Sequence, residues 1–439
     1  MTFQAAQSYL LGLINETASG RMPNRLERFR AFLAALGDPQ DRYPTIHVAG
    51  TSGKGSTATM LAAALQAAGK RTGLHTKPHL ESVTERARID GVAIAEETFG
   101  DLIGELRTAV DRIAYEYGNP TYYETLLALA FLWFASEAVD IAVIEAGVGG
   151  RLDGTNVLLP QVAIITNVGF DHVDILGSTL EEIARDKAGI AKPGVPLVSD
   201  VRPGPAREQI ERACADAGAP FISVADTVRV EPQRGERYGQ SFSVVTPEDR
   251  YEIALPVLGG FQQRNAATAI RALEQLAPSL RPGREAIEAG LARTIIPGRM
   301  EFFPSHPGVV FDIAHNGDKA AGLAHALQQT FPDRHFTFVM AVGESKDALE
   351  VIRPFVALGG SSFIFTSFSV PGRQASRPQR LASIAGELGA WGRAIADPVE
   401  AFSIARRNAE ADDIIVVTGS TFVVATLRGW WVANVISNV

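Results

Sequence analysis

The stretch from Thr45 to Thr57 constrains the fold of this chain more than any other part of its sequence. It begins with Thr-Ile-His-Val-Ala, a run typical of a buried strand, and continues as Gly-Thr-Ser-Gly-Lys-Gly-Ser-Thr. An Ala/Leu-rich segment over 56–68, followed by Gly69, predicts a helix directly after this turn. Backbone N–H groups, the helix N-terminus and Lys54 can then all face one anion. The stretch therefore predicts a site for the phosphates of ATP or GTP.

The spacing within this loop differs from that of the commonest phosphate-binding motif. That motif reads G-x-x-x-x-G-K-[ST], whereas here Gly55 separates Lys54 from Ser56. An ordinary glycine-rich turn is therefore the alternative interpretation, although the flanking strand and helix patterns favour a phosphate site. The residues that we assign to the nucleotide site in this loop are Gly50, Thr51, Ser52, Gly53, Lys54, Gly55, Ser56 and Thr57.

Length and composition argue against several classes of protein. The 439 residues suffice for two or more domains, and the net charge of −8 comes from dispersed charges without a basic stripe. We therefore expect no nucleic-acid partner. The apolar run 126–135 is too short to cross a bilayer, and the first residues lack a signal-peptide pattern, so we expect no membrane association. The single cysteine, Cys214, is typical of a reducing cytoplasm, and we expect a monomer there.

Strand-like apolar runs alternate with helical segments along most of the chain, which is typical of α/β proteins with a mostly parallel sheet. In the first part these runs cover 73–76, 140–145, 162–167 and 195–199. Between 228 and 258, shorter alternating strands predict a small antiparallel sheet, and the α/β pattern restarts after 296–298. We therefore predict a P-loop ATP-binding domain at 1–296 and a smaller Rossmann-like α/β domain at 297–439.

Polar residues follow several predicted strands, at the sheet edge where ligands bind in open parallel sheets. Glu145 ends one strand, and His172 follows the next strand along the chain. A nucleotide brings Mg²⁺, which prefers oxygen ligands, so Glu145 suits this metal well and the imidazole of His172 is a less typical ligand. A salt-bridged carboxylate and a structural histidine are the alternative interpretations.

Further candidate residues lie at a helix end and in the second predicted domain. Lys187 ends an amphipathic helical pattern, where a surface lysine is the alternative. Asp312 and His315 lie just past a strand, at positions compatible with ribose or phosphate contact. Arg299 lies at the domain junction, where its planar charged fork can reach a phosphate or form a simple salt bridge.

These segments together resemble the folylpolyglutamate synthase and dihydrofolate synthase family, a branch of the Mur-type ATP-dependent amide ligases. The resemblance runs nearly from end to end and keeps the order of the family's motifs. The matching segments are 25–28, 47–57, 78–80, 85–89, 139–157, 166–172, 187–190, 265–267, 297–301, 312–316 and 418–420.

The resemblance implies an enzyme of folate metabolism that uses ATP to join L-glutamate to a pteridine carboxylate through an acyl phosphate. The acid would be dihydropteroate, a folyl-glutamate or both.

The implied cofactors are ATP and one or two Mg²⁺ ions, with carbamylated Lys187 as a further metal ligand. The implied catalytic residues are Lys54, Lys187, Arg299 and His315. The implied nucleotide contacts outside the loop are Asn265, Arg299 and Asp312. The implied metal ligands are Ser56, Glu145 and His172. The implied substrate contacts are Lys77, Pro78, His79, Arg86 and Asp153.

The chain departs from the family pattern at several positions. Lys77 stands where many members have a magnesium-binding serine, and an ammonium group cannot bind a metal. Phe261 replaces a histidine, and Ile313 and Gly317 replace the usual Gly and Pro around His315. Two alternatives therefore stay open. One is a Mur-type ligase for a different acid or amine, and the other is a nucleotide-binding module without catalysis.

Overall fold

The chain forms two compact units in the computed structural model, which describes residues 1–14, 25–233, 239–370 and 372–436. Of the described residues, the first unit takes those up to 233 together with 241–254 and 262–294. The second unit takes 239–240, 255–261 and all described residues from 295 onward.

A large sheet with parallel central strands forms the framework of the first unit. Its strands are β1 Thr45–Ala49, β2 Thr72–His75, β3 Ala87–Ile89, β4 Val92–Ala93, β5 Ile141–Glu145, β6 Val162–Ile165, β7 Leu197–Ser199 and β8 Phe221–Ser223. They lie in the order β4-β3-β2-β5-β1-β6-β7-β8, with β3 and β4 antiparallel at one edge. Val48 of β1 pairs with Glu145 of β5 and with Ile164 of β6. The carboxyl ends of these three strands therefore lie side by side.

Helices connect the strands of the first unit. They are α1 Phe3–Gly12, α2 Arg25–Ala35, α3 Lys54–Ala67, α4 Glu96–Tyr117, α5 Tyr122–Ser136, α6 Val173–Leu176, α7 Leu180–Ala188, α8 Pro205–Ala217, α9 Val224–Thr227, α10 Phe261–Leu273 and α11 Arg284–Leu291. A capping box starts α5, because Thr121 and Glu124 each bond the other's backbone N–H. No helix in the described part of the chain has the length and apolar character needed to cross a bilayer.

A small antiparallel sheet follows the large one in the sequence. Its strands are β9 Arg229–Pro232, β10 Gln240–Val245 and β11 Arg250–Leu255, in the order β11-β10-β9. Tyr251, Ile253 and Leu255 are buried while their neighbours in β11 are exposed, as expected for a sheet with one covered face. The predicted change to short antiparallel strands is confirmed.

The second unit is a separate α/β structure. Its strands are β12 Glu301–Phe303, β13 Gly308–Phe311, β14 Phe336–Met340, β15 Ser362–Phe365, β16 Gly392–Ala394 and β17 Ile414–Thr418. Its helices are α12 Gly317–Thr330, α13 Ala348–Val356, α14 Pro378–Glu387, α15 Pro398–Asn408 and α16 Thr421–Asn434. The sheet order is β12-β13-β17-β14-β15-β16, parallel except at β12. The predicted α/β class, with one large mostly parallel sheet and a smaller C-terminal domain, is confirmed.

Candidate active site

The glycine-rich loop after β1 adopts a backbone that requires its glycines. Gly50 has a φ of 140°, and a Cβ atom there would lie 1.9 Å from Thr166 Oγ1. Gly53 has a φ of 79° and immediately precedes α3. The backbone N–H groups of Thr51 and Ser52 donate to Asn167 Oδ1 at 3.2 and 2.8 Å. The segment after β6 therefore holds the loop in place ahead of the helix N-terminus, which is the position where helices bind phosphate.

Two lysine side chains from distant parts of the chain meet at this loop. Lys54 Nζ donates to Gly50 O at 2.9 Å and to Thr51 O at 3.2 Å. Lys187 Nζ, at the last turn of α7, donates to the same Gly50 oxygen at 3.0 Å. Lys187 is buried, and its burial together with the Lys54 charge lowers its pKa to about 7. The loop thus concentrates positive charge where the sequence predicts an anion.

Glu145 and the backbone of Lys77 lie next to each other, with the Glu145 carboxylate at the first turn of α3. The backbone N–H of Lys77 donates to Glu145 Oε2 at 2.9 Å. A Cβ atom on Gly55 would lie 3.2 Å from the same oxygen, so the carboxylate lies against the first turn of α3. Burial, followed by the charge of Lys54, lowers the pKa of the Lys77 side chain to about 8.

The residues assigned to the acid substrate form two connected groups. In the first, Arg86 Nε donates to His79 Nδ1 at 3.0 Å, and the guanidinium lies 5.5 Å from the centre of the Tyr122 ring. Burial lowers the Arg86 pKa, while burial and the Arg86 charge lower the pKa of His79 to about 4. Pro78 is exposed and joins His79 to Lys77, so the segment bridges the Glu145 site and this basic group.

Asp153 is the centre of the second group. It is buried and accepts hydrogen bonds from the Tyr123 hydroxyl at 3.1 Å, the Val148 N–H at 2.9 Å and the Thr155 hydroxyl at 2.6 Å. Burial works against its ionisation, but the bonds from Thr155 and Val148 hold its pKa below the usual range. The carboxylate therefore fixes the loop between β5 and the next turn, and holds Tyr123 beside it.

The three residues expected to bind magnesium differ in their burial. Ser56 and Glu145 are buried at the start of α3 and the end of β5. The side chain of His172 is 43% exposed, with Nε2 3.8 Å from Asp171 Oδ1. Among the described residues, no group of three or more His, Cys, Asp or Glu side chains is placed to hold a metal. Mg²⁺ usually binds through one or two carboxylates plus substrate phosphates, and Glu145 is a carboxylate of this kind beside the predicted phosphate site.

Asn265 connects the loop to α10. A Cβ atom on Gly53 would lie 2.4 Å from Asn265 Oδ1, and Asn265 Nδ2 donates to Gln262 Oε1 at 2.8 Å. Gln262 lies one helical turn before Asn265 and is fully buried. The amide of Asn265 is therefore held against the phosphate loop.

The remaining assigned residues lie together in the second unit. The Asp312 carboxylate accepts hydrogen bonds from the backbone N–H groups of Met300 and Ala314, both at 2.8 Å. Burial raises the pKa of Asp312, and the positive charge of Arg299 offsets part of this rise. His315 Nδ1 lies 2.8 Å from Ile313 O. Asp312 thereby orders the two turns that carry Arg299 and His315.

Three further residues of this region were not assigned from the sequence. The sequence predicts Asn167 at the end of a strand beside the loop but gives it no contact, and Gln262 could have been found from its spacing to Asn265. Tyr123 gave no signal, because its contact with Asp153 joins residues 30 positions apart.

Comparison with protein-family models identifies two domains in the chain. Residues 48–273 match the Mur ligase middle domain, and residues 298–421 match the Mur ligase glutamate ligase domain. The first match alone covers more than half of the 439 residues.

Curated relatives match the chain over nearly its whole length. Dihydrofolate synthase/folylpolyglutamate synthase of Bacillus subtilis is 33% identical over 431 residues, covering 97% of this chain and 98% of the relative. Folylpolyglutamate synthase of Lacticaseibacillus casei is 32% identical over 408 residues, covering 91% of this chain and 93% of the relative.

Solved structures agree with these matches. Mycobacterium tuberculosis folylpolyglutamate synthase complexed with ADP superposes with a TM-score of 0.86 at 30% identity, covering 98% of this chain and 99% of that one. The E. coli FolC structure in complex with DHPP and ADP gives 0.85 at 27% identity, covering 98% of both chains. The chain belongs to the Mur ligase family, in its folylpolyglutamate synthase and dihydrofolate synthase branch.

Proposed function

We propose that this chain is an ATP-dependent ligase that joins L-glutamate to a pteridine-bearing carboxylic acid, either dihydropteroate, a folyl-glutamate or both. The observation that carries the proposal is the convergence of Lys54 and Lys187 on the glycine-rich loop, in a chain whose relatives are named for this activity. The positive charge of Lys54 at a helix N-terminus is suited to hold a triphosphate and to stabilise charge that develops during phosphoryl transfer.

The reaction needs two steps, because a carboxylate does not react with an amine directly. A carboxylate oxygen of the acid attacks the γ-phosphorus of ATP, and the bond to ADP breaks to give an acyl phosphate. The amine of glutamate then attacks the acyl carbon, and phosphate leaves as the amide forms and the nitrogen loses a proton. Lys54 and the loop amides offset charge on the phosphates in this scheme, and we assign Arg299 and His315 to the same task.

We assign Ser56, Glu145 and His172 to a magnesium ion that arrives with the nucleotide. When bound, the ion neutralises phosphate oxygens and favours departure of ADP. We assign Asn265 and Asp312 to the adenosine, because Asn265 lies against the phosphate loop and Asp312 orders the turns of Arg299 and His315.

The acid substrate is assigned to the surface between Lys77 and Asp153. The Arg86 guanidinium over the Tyr122 ring and the Asp153–Tyr123 pair provide a cation, aromatic faces and a hydrogen-bonding carboxylate. These groups suit an acid that carries a flat, hydrogen-bonding heterocycle. Lys77, Pro78 and His79 lie along the same segment.

We further propose that residues 1–296 bind ATP and the acid, and that residues 297–439 form the glutamate-ligase domain. The buried cysteine Cys214 is consistent with a reducing compartment, and we propose that the chain acts as a cytoplasmic monomer.

Oxygen transfer tests the acyl-phosphate step directly. With dihydropteroate labelled with ¹⁸O in its carboxyl group, we expect one labelled oxygen in each phosphate released, measured by mass spectrometry. Tetrahydrofolate and a panel of other acids run in parallel identify the acid that supports turnover. Label that stays out of phosphate contradicts the mechanism, and turnover with an unrelated acid alone would favour the different-substrate alternative.

Carbamylation of Lys187 is expected to depend on pH with a defined sign. The neutral amine adds to CO₂, giving a carbamate and releasing one proton, so the carbamate needs deprotonated Lys187. Because the Lys187 pKa is about 7, the amine is mainly neutral at pH 8 and mainly charged at pH 6. We expect a ¹³C NMR carbamate signal with ¹³C-bicarbonate at pH 8 that fades toward pH 6. Lys187→Arg is the control, and a signal that survives in this variant would contradict the assignment.

A further inference from the structure

A chain of hydrogen bonds leads from the middle of the large sheet to the residues assigned to the acid substrate. His47, at the centre of β1, is fully buried, and its Nε2 atom lies 2.8 Å from the Thr155 hydroxyl oxygen. Thr155 is also buried and donates to Asp153 Oδ1 through its hydroxyl at 2.6 Å and its backbone N–H at 3.0 Å. The Tyr123 hydroxyl donates to the same carboxylate oxygen at 3.1 Å. Side chains of β1, α5 and the segment after β5 therefore form one connected network.

The charge of Asp153 sets the direction of the bonds in this network. Burial opposes ionisation of Asp153, but the bonds from Thr155 and Val148 hold its pKa below the usual range. An ionised carboxylate only accepts hydrogen bonds, so the hydroxyls of Thr155 and Tyr123 both donate to it. Because a hydroxyl has a single proton, the Thr155 oxygen is left to accept, and Nε2 of His47 must donate. The network therefore requires the tautomer of His47 that has its proton on Nε2.

The surroundings of the His47 ring agree with this tautomer. No residue in the described part of the chain forms a hydrogen bond with the buried Nδ1 atom of His47. A proton on Nδ1 would be a buried donor without an acceptor, and the lone pairs of Nε2 and the Thr155 oxygen would then face each other. Burial lowers the pKa of His47 to about 4; the Asp153 charge opposes this shift and the Lys192 charge adds to it. The ring is therefore neutral at pH 7.

We propose that His47 is a positioning residue of the acid site, which acts through Thr155 to hold the Asp153 carboxylate and the Tyr123 hydroxyl in one arrangement. This inference rests on the proposed function, because it takes the Asp153–Tyr123 pair as part of the acid site. His47, Thr155 and Asp153 are buried, whereas Tyr123 is half-buried. The network thus connects the core of the sheet to a side chain that retains contact with the surroundings of the protein.

Nitrogen NMR tests the proton arrangement without substrate or turnover. The full-length chain is labelled with ¹⁵N-histidine, and the His47 signals are those that disappear in His47→Gln or His47→Leu. At pH 7 we expect Nε2 of His47 to give a protonated, pyrrole-type signal and Nδ1 an unprotonated, pyridine-type signal. An unprotonated Nε2 in the unsubstituted protein overturns the inference.

Acid binding tests the positioning role. With ADP bound, calorimetry gives the dissociation constants of dihydropteroate and tetrahydrofolate. We expect Thr155→Val, which removes the hydroxyl, and His47→Leu, which removes the ring donor, each to weaken acid binding about tenfold. The dissociation constant of ADP should stay within about twofold of that of the unsubstituted protein. Thr155→Ser keeps the hydroxyl and should keep most of the acid affinity.

Thr72→Val is the matched control for Thr155→Val. Thr72 is buried at the first position of β2, and its hydroxyl donates to Lys70 O at 2.9 Å, so the change removes a bonded hydroxyl away from the acid site. We expect acid affinity in this variant to stay within about twofold of the unsubstituted value.

The remaining outcomes separate the positioning role from the proposed function. Acid affinity that is unchanged in both Thr155→Val and His47→Leu contradicts the positioning role. Equal losses of acid and ADP affinity also contradict it, because they indicate a general loss of structure. If the unsubstituted protein binds neither acid, the proposed function fails and the role in acid binding fails with it, whereas the NMR signals of His47 still report the proton arrangement.

Discussion

Replacement of Lys54 by alanine is expected to lower kcat by about 10³-fold, equivalent to about 4 kcal/mol of transition-state stabilisation. The physical reason is that the Lys54 ammonium lies at the turn between β1 and α3, beside the backbone to which we assign the phosphates. The measurement is ADP release with saturating ATP, glutamate and the acid that supports turnover.

The control for Lys54 is Lys70→Ala, which removes a lysine beyond the opposite end of the same helix. We expect its kcat to stay within about twofold of that of the unsubstituted protein, because surface changes away from a site have small effects. Thermal unfolding of both variants separates loss of chemistry from loss of fold. A Lys54→Ala enzyme that retains turnover within a few-fold would remove this residue from the mechanism.

Replacement of Glu124 by alanine is expected to destabilise the first unit by about 3–5 kcal/mol. Glu124 is fully buried and accepts from Arg28 Nη2 at 2.9 Å and Arg28 Nε at 3.2 Å. The same carboxylate accepts the Thr121 N–H at 2.8 Å and so caps α5. Its removal leaves a buried guanidinium without this carboxylate and also opens the first turn of a helix whose next residues are in the core.

An exposed ion pair provides the comparison for Glu124. Glu137 pairs with Arg71, and both side chains are more than 40% exposed. We expect Glu137→Ala to change the free energy of unfolding by less than about 1 kcal/mol. Urea denaturation followed by circular dichroism gives both values. Equal changes in the free energy of unfolding would contradict the expectation that the buried Arg28–Glu124 pair stabilises the protein more than the exposed pair does.

The order of strands and helices could be predicted from the sequence because it depends on local patterns, but their ends could not. The strand predicted at 162–167 ends at Ile165, because the Thr166 hydroxyl donates to Ser52 O and the Asn167 side chain turns to the loop. The helix that contains the apolar run 126–135 begins at Tyr122, because the capping box of Thr121 and Glu124 sets its start. In both cases a hydrogen bond of a side chain decides the boundary.

The candidate site was predictable where its residues follow one another and unpredictable where they meet across the chain. The loop 50–57 is a local motif, so its glycines and Lys54 could be assigned directly. The bond of Lys187 to Gly50 joins residues 137 positions apart, and the bond of Tyr123 to Asp153 spans 30. The helical pattern left a surface lysine as an equal alternative for Lys187, and the family resemblance gave it a role, because an amphipathic helix end gives no sign of burial.

The carbonyl oxygen of Gly50 has a consequence that reaches beyond its own peptide. Because the side chains of Lys54 and Lys187 both donate to this oxygen, rotation of one peptide unit changes a hydrogen bond of each side chain. The backbone shape of the loop and the arrangement of its lysine side chains are therefore coupled, and a substitution that alters one is expected to alter the other.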